Sequence, residues 1–427
     1  MAELRTSNLP TMGSNLGAVK AEIDRAIDSL LGKLQQVNST IHGNPEPAFK
    51  ERLACETISS FLTSLKPGIK NLSVATSVYG LATCFEARYQ SSVPTSRCVN
   101  FNAEYDALPG IGHACGHNLI ALASLIAFVA LTSVLEKFGV AGCAQLLGTP
   151  AEEDGGGKIK LLEAGAYKTC AVSLMAHPTA PSDHPKGYNG TAGQTSTALL
   201  DITCTFRGKN SHAGLNPWDG VNALDAVVCA YNNVSVLRQQ LHPTDRIHGV
   251  ILEAPKIANV IPGETRTGYT VRSSTRQRAS RLGERVEACL AAAGLATGCQ
   301  TDIQREPLYA DLRLNATLCS RFAANMSLWG DNVCEFQEGF TGGSTDQGNV
   351  SYAVPTLHAY FGIPAAFGVQ VHSLEFANAA GTAEAFAAAV RVGKALSLVG
   401  WEILTDDDLF RQCVADFELD KTVRGCA

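Results

Sequence analysis

The stretch FNAEYDALPGIGHACGHNLIA, residues 101 to 121, carries His113, Cys115 and His117, with the acids Glu104 and Asp106 a short loop upstream. A thiolate and an imidazole two residues apart can both reach one ion, and the Pro and Gly residues before them suit a loop at a strand end. Alone, Cys-x-His is equally the mark of a buried Cys beside a satisfied His. The chain, however, also offers GTPAEEDGGGK at 148 to 158, MAHP at 175 to 178, GKNSHAG at 208 to 214, GGSTDQGN at 342 to 349 and VHSLEF at 371 to 376. Each puts an acid, a His or a Gly-rich turn where one composite metal site needs it.

Glu152 and Glu153 form the second anchor. Neighbouring side chains on an extended segment diverge, so one can ligate a metal while the other faces a substrate. A carboxylate beside a metal-activated water has the placing of a general base near neutral pH. Gly155 to Gly157 let the backbone turn sharply and leave room for substrate. His177 follows the apolar run AVSLMA and precedes Pro178, hence sits at a strand end. His372 follows AAFGVQV and precedes a helix start. Together Cys115, His117, Glu153, His177 and His372 give a mixed sulfur, nitrogen and oxygen set. It suits zinc, manganese or cobalt and is poor for calcium or magnesium. Five protein ligands are more natural for two metals than for one, with Cys115 or a water as the bridge.

The elements that must position these residues are legible in outline. Residues 1 to 14 read as unstructured, and AVKAEIDRAIDSLLGKLQQVNSTIH reads as one long amphipathic helix from about Leu16. A second helix spans Phe49 to Leu65. Strand-like runs follow at Leu72 to Val78, Gly80 to Ala87 and Cys98 to Ala103. The apolar stretch Leu119 to Val134 is too short and lacks the basic flank to span a bilayer, so it reads as a buried helix starting at His117. A strand at Gly142 to Leu147 and a helix ending near Ala166 complete an alternation typical of a sheet flanked by helices, whose active sites gather at carboxyl ends of strands.

PTAPSDHPKGYNGTAG then reads as a linker or hinge loop. After it come a strand at Ser196 to Phe206, a helix at Gly220 to Leu241, strands at Ile247 to Ala254 and Thr265 to Arg272, a helix at Arg276 to Ala293 and a strand at Cys299 to Arg305. That β-α-β-β-α-β order is a small α+β domain. Metal-type motifs are missing from it apart from His212 and resume afterwards. The expected fold is therefore α/β, with a catalytic domain over 1–190 and 306–427 and an inserted α+β domain over 191–305.

At 427 residues, 45% hydrophobic and 17% charged, the chain suits two or three domains. Its net charge of −6 argues against nucleic acid or an anionic membrane as the main partner. Fourteen Cys without a repeated spacing read as reduced thiols in a reducing compartment. The first residues have no secretory h-region and the last no lipidation or peroxisomal address, so the expected location is cytoplasmic.

The stretches AEYDALPGIGHACGHN, GTPAEEDGGGKIKLLEAGAY, MAHP, GKNSHAGLNPWDGVNALDAVVCAYNNVSVLRQQ, IANVIPGETRTGYTVRS and GSTDQGNVSYAVP resemble the aminoacylase and dipeptidase metallopeptidases, a co-catalytic di-metal family. The likeness runs from about residue 100 to 385. It lies with the auxin-conjugate amidohydrolase branch, and within it with the cytosolic β-alanyl-lysine dipeptidase-like subgroup. In that branch a Cys-x-His pair replaces an aspartate-bridged arrangement. The resemblance thus implies two divalent ions on Cys115, His117, Glu153, His177 and His372, with Glu152 as the base. It makes the inserted domain a lid and homodimerisation module whose His212 stabilises the oxyanion. Asn259, Arg272 and the Gly342–Gly343–Ser344–Thr345 turn are candidates for binding a substrate carboxylate or oxyanion. Asn118 stands where much of the branch has Asp, and Ser373–Leu374 where Thr-Pro is more usual.

The expected activity is hydrolysis of the amide bond of a small substrate, a dipeptide or N-acyl amino acid, by metal-activated water. Two alternatives remain at this stage: an amide-forming member running the same chemistry in reverse, and a non-catalytic dimeric binding protein on the same fold.

Overall fold

The computed structural model describes residues 16–93, 95, 97–340 and 343–425. The amino-terminal stretch expected to be unstructured, and Gly342, lie outside them. The chain divides into two compact units: residues 1–194, 313–339 and 350–427 form the first, and 195–312 with 340–349 the second.

The first unit begins with α1 (Leu16–Asp28), α2 (Leu31–Gly43) and α3 (Arg52–Leu65). The single long helix expected here is broken at Ser29–Leu30. The Ser29 hydroxyl donates to the Ala26 carbonyl, and Gly32 follows closely, the kind of Ser/Gly pairing at which helices bend. In α3 the apolar residues recur three and four apart, so Ala54, Cys55, Ile58, Phe61 and Leu62 share a buried face. Glu46 caps its start by accepting the N–H groups of Leu53 and Ala54. Then come β1 (Leu72–Thr76), β2 (Phe85–Gln90), β3 (Cys98–Glu104), α4 (His117–Phe138), β4 (Cys143–Thr149), α5 (Gly157–Glu163), β5 (Val172–Thr179) and β6 (Gly190–Thr195). The strand expected from Gly80 starts later, at Phe85. Positive φ at Ser77, Tyr79 and Gly80 turns the chain there instead.

The second unit supplies β7 (Ala198–Arg207), β8 (Ser211–His212), α6 (Ala223–Leu237), β9 (Arg246–Glu253), β10 (Val260–Ile261), β11 (Glu264–Ser273), α7 (Arg276–Thr297) and β12 (Gln300–Arg305). Its main sheet is antiparallel in the order β12-β7-β11-β9. Strand β7 alternates buried and half-buried side chains. Leu200, Ile202, Cys204 and Phe206 pack with Val227, Val234, Val286 and Leu290 from α6 and α7. Side-chain oxygens of Asn222 and Thr275 cap those helices.

The chain then continues through α8 (Ala316–Ser327), β13 (Val333–Phe340), α9 (Gln347–Ser351), β14 (Thr356–Gly362), α10 (Leu374–Ala380), α11 (Ala383–Thr405) and α12 (Asp407–Gly425). The large sheet of the first unit runs β1-β2-β4-β3-β5-β14-β6-β13. Its centre is parallel, β4 to β3 to β5 to β14. The expected linker before residue 194 is a correction: Gly190–Thr195 is a strand of this sheet, antiparallel to β14. A Cβ at Gly190 would stand 2.9 Å from the Tyr360 carbonyl. Glycine there serves close packing of strands, which composition alone mimics as a loop.

Among the described residues α4 is the one helix long and apolar enough to cross a membrane, and 94% of its apolar window is buried inside the protein. Its Leu122, Leu125, Ile126 and Val129 belong to the core with Leu396 and Val399 of α11. The reading of reduced thiols fails at one pair. Cys98 and Cys143 stand opposite each other in the β3–β4 register and are disulfide-bonded. Forty-five residues of separation hid a neighbourhood that strand pairing creates. Eleven other described cysteines are free.

Candidate metal centre

Strand period decides what faces the site. Along β3, Val99, Phe101 and Ala103 belong to the hydrophobic core, so Asn100, Asn102 and Glu104 take the opposite face. Register places Ser173 beside Asn100, Thr149 beside Glu104, and Tyr360 beside His177. This face becomes more titratable toward the carboxyl ends of the strands. Its inner part is a satisfied polar row: Asn102 donates to Ser173 Oγ, which donates to Asn100 Oδ1, while Asn100 donates to Gln145 Oε1.

At the outer end the structure brings together Cys115, His117, Glu152, Glu153, His177 and His372. Cys115 with His117 and His177 forms one group whose donor atoms lie within 4.8 Å of one another; Cys115 with Glu153 and His372 forms another. Cys115 belongs to both. Its Sγ lies 3.2 Å from His177 Nε2, and His372 Nε2 lies 3.4 Å from Glu153 Oε1.

Each imidazole is oriented from behind. His177 Nδ1 is 2.7 Å from the Pro178 carbonyl, an acceptor, so Nδ1 carries the proton and Nε2 keeps its lone pair toward Cys115. His117 Nδ1 lies 3.1 Å from Asp106 Oδ1. Its Nε2 is buried without a hydrogen-bond partner. Around that nitrogen stand Glu104 Oε2 at 3.6 Å, Glu152 Oε2 at 3.8 Å and Glu153 Oε1 at 3.9 Å. Those separations are long for hydrogen bonds. They are spacings that the donors of a shared metal site would take. A buried orphan nitrogen facing carboxylates, next to a thiol and two further imidazoles, fits a divalent transition metal.

The loop bearing the two acids is shaped by close approach. A Cβ at Gly157 would lie 1.7 Å from the Pro150 carbonyl oxygen, so only glycine lets the chain fold back there. Ala151 adopts φ +61° although it is not glycine. Its N–H is taken by Glu51 Oε1 at 2.9 Å, and the N–H of Glu153 by Asp106 Oδ2 at 3.0 Å. His372 also has positive φ, +65°, with its N–H on the Ala114 carbonyl at 2.8 Å.

Electrostatics follow from burial and pairing. Burial pushes the His117 imidazole down, but Asp106 and Cys115 outweigh it and hold it well above its ordinary range. Asp106 is lowered despite burial, because His117 and the backbone N–H groups of Glu153 and Glu152 favour its charged form. Burial, then the Glu153 charge, pushes the Cys115 thiol far up. Burial pushes His177 down to about 4.

The remaining candidates belong to the second unit. His212 is exposed on β8, with Nδ1 accepting the N–H groups of Gly214 and Leu215. Its Nε2 lies 3.4 Å from the Asn259 amide, which the β8–β10 pairing of His212 with Val260 brings alongside. Arg272 is half-buried and donates to Ser344 Oγ at 3.0 Å. Thr197 holds the same turn, its N–H on the Gly343 carbonyl and its hydroxyl 2.8 Å from Ser344 Oγ. Thr345 is buried, and its Oγ1 accepts the Gln347 N–H.

Sequence reasoning noted Glu104 and Asp106 without giving them a role and missed Glu51 and Lys158. The first two carried a usable signal, the Asn-x-Asn-x-Glu alternation along β3. Glu51 and Lys158 join the site through tertiary contacts that no local pattern announces. Asn118, where Asp was more usual, has a local reason: its Nδ2 donates to Asn38 Oδ1 and the Ala380 carbonyl, which a carboxylate cannot do.

With this geometry in hand, comparison with known proteins is decisive. Residues 196–297 match a family described as a peptidase dimerisation domain. Over 402 residues the chain is 37% identical to an Xaa-Arg dipeptidase of Mus musculus, a match covering 92% of this chain and 90% of that protein. This chain belongs to the M20 peptidase family. An Xaa-Arg dipeptidase of Homo sapiens is 36% identical over 95% of this chain and 93% of its own length. The fold of this M20 peptidase is shared with a dinuclear metal binding peptidase of the same family from Bacillus subtilis. That likeness has a TM-score of 0.61 at 17% identity, covering 87% of this chain and 98% of the other. The resemblance drawn from the motifs is borne out at the level of the family, and so is the α/β architecture.

Proposed function

We propose that this M20 peptidase is a two-metal dipeptidase that cleaves the amide bond of a small dipeptide, with a carboxyl-terminal Arg as the first residue to test. The observation that carries the reading is the pair of donor groups sharing Cys115, with Glu152 beside them. The Arg preference rests on the relatives named Xaa-Arg dipeptidase.

In this reading Cys115, His117 and His177 would hold one ion and Cys115, Glu153 and His372 the other, and zinc, manganese or cobalt would suit that set. When bound, the ions supply Lewis acidity for the substrate carbonyl and make water more acidic. Glu152 is the group we assign to receive the proton of the attacking water and return it to the departing amine. Ser and Thr nucleophiles are not required, because water attacks directly. His212 has Nδ1 occupied as an acceptor, so Nε2 carries the proton, and that N–H, which lies beside the Asn259 amide, is the donor we assign to a developing oxyanion. To Asn259, Arg272 and the Gly343–Ser344–Thr345 turn we assign the substrate carboxylate. The guanidinium held by Ser344 supports this, being already oriented for a planar anion.

A homodimer through the second unit belongs to the same reading. Strand β9 is the edge of its sheet and exposes Val250, Ile251 and Leu252 in succession, and α6 exposes Val228 and Tyr231. An apolar edge of that kind calls for a partner. A cytoplasmic setting is the one that the eleven free cysteines fit.

The test is amine release from a panel of Xaa-Arg, Xaa-Lys and neutral dipeptides and N-acyl amino acids, with added zinc, manganese or cobalt and with a chelator. Chelator-sensitive release, strongest on Xaa-Arg, is expected. Absence of release from every member, with metal shown to be bound, would turn the reading toward the amide-forming direction.

A further inference from the structure

Behind the two donor groups lies a pair of opposite charges that the reading above does not use. Glu104 ends β3 and Lys158 stands in the first turn of α5; both are wholly buried. Lys158 Nζ lies 2.5 Å from Glu104 Oε1. That engages one carboxylate oxygen. The other, Oε2, is turned toward His117 Nε2 at 3.6 Å, the ring nitrogen left without a partner because Nδ1 faces Asp106. Glu104, His117 and Glu152 bring their donor atoms within 4.8 Å of one another, a third group at the same centre.

A carboxylate this deep calls for a cation beside it, and Lys158, equally buried, supplies one within ion-pair distance of Oε1. A buried ion pair is seldom a net gain in stability over apolar residues of the same volume. This one has an outlet for its charge, since the free oxygen points at the side of the centre where His117 would hold its ion. Lys158 also follows directly on the Gly155–Gly157 turn, so the pair ties the Glu152–Glu153 loop to the end of β3.

We propose that Glu104, paired with Lys158, is a further acidic group of the metal centre on the side where His117 would hold an ion, and that this pair sets how tightly that ion is held. Lys158 is a positioning residue, touching Glu104 and not the ion. The proposal rests on the two-metal reading.

The experiment is a zinc titration of metal-free wild type, E104Q, K158M and the E104Q/K158M double variant. Affinity and stoichiometry are read by calorimetry against a competing chelator, with thermal unfolding followed in parallel. Wild type should take two ions. Each single variant should weaken one of them at least ten-fold and lower the unfolding temperature. The double variant, with a neutral pair in the same space, should recover unfolding temperature but not affinity. Recovery of both would make the pair structural only and overturn the proposal, as would wild-type affinity in a folded E104Q. Should the single variants fail to fold, the double variant decides by the same criterion. A wild type that binds no zinc overturns the two-metal reading itself, which is distinguishable from the failure of Glu104 alone.

Discussion

Asp106 Oδ1 lies 3.1 Å from His117 Nδ1. Its second oxygen accepts the Glu153 backbone N–H at 3.0 Å, so one carboxylate orients an imidazole and anchors the loop that carries both acids. Asp106→Asn keeps the shape but offers only one acceptor, and its amide must point a donor at either the His117 or the Glu153 N–H. Outer partners of this kind are worth about 10- to 100-fold in metal affinity or activity. The expected outcome is a loss of that size in zinc affinity, measured against a chelating dye, with a parallel fall in kcat/KM. Unchanged affinity in a folded variant would contradict the role.

Glu152 and Glu153 are neighbours in sequence with different surroundings. Glu153 Oε1 faces His372 at 3.4 Å, whereas Glu152 approaches the His117 side through Oε2 at 3.8 Å. If Glu152 moves protons and does not hold metal, Glu152→Gln should lower kcat by about 10²- to 10⁴-fold with KM nearly unchanged. The metal content, measured by elemental analysis, should stay at the wild-type value. Glu153→Gln should instead reduce metal content. Equal metal loss in both variants would remove the distinction.

How far the sequence reached is clearest at particular residues. Cys115, His117, Glu153, His177 and His372 follow short motifs at strand ends, and the structure clusters them because β3, β4 and β5 are parallel neighbours. Period and punctuation were enough for that. Lys158 was illegible because a lysine after three glycines looks like a solvated turn, and only the fold of α5 onto β3 buries it. The Cys98–Cys143 bond was hidden for the same reason, a contact made by register and not by spacing. Gly190–Thr195 misled in the opposite direction: small residues that look like a linker permit close strand packing.

The exposed strand β9 carries a prediction about assembly. Val250 and Leu252 lie two residues apart, on the same side of the strand, and each is about half exposed. Replacing both with Lys places charge on an edge that the homodimer reading pairs or covers, a standard block to edge association. The double variant should sediment as monomer at concentrations where the wild type is dimer, with the dissociation constant raised at least about 100-fold, equivalent to about 2.7 kcal/mol. Its thermal unfolding should stay close to wild type if the face is free in the monomer. An unchanged mass would exclude β9 from the interface.

Glu51 gives a pH dependence whose sign is fixed by its surroundings. Its carboxyl is wholly buried, and burial pushes it up to about 7, with hydrogen bonds from Thr83 and Phe49 opposing and the Asp106 charge adding to the rise. The folded chain therefore binds this proton more tightly than the unfolded one, whose value is near 4.5. Between those two values the native state holds more protons, so stability falls as pH rises through the window and the penalty is complete above about 7. A difference of this size is worth on the order of 3 kcal/mol. Glu51→Gln retains an acceptor for the Ala151 and Phe49 N–H groups and a donor for the Thr83 hydroxyl, while removing the ionisation. In urea unfolding of the metal-free chain the variant should be more stable than wild type at pH 8, by up to that amount. The gap should close as pH falls to 5. A gap independent of pH over this range would show that Glu51 is not the titrating group.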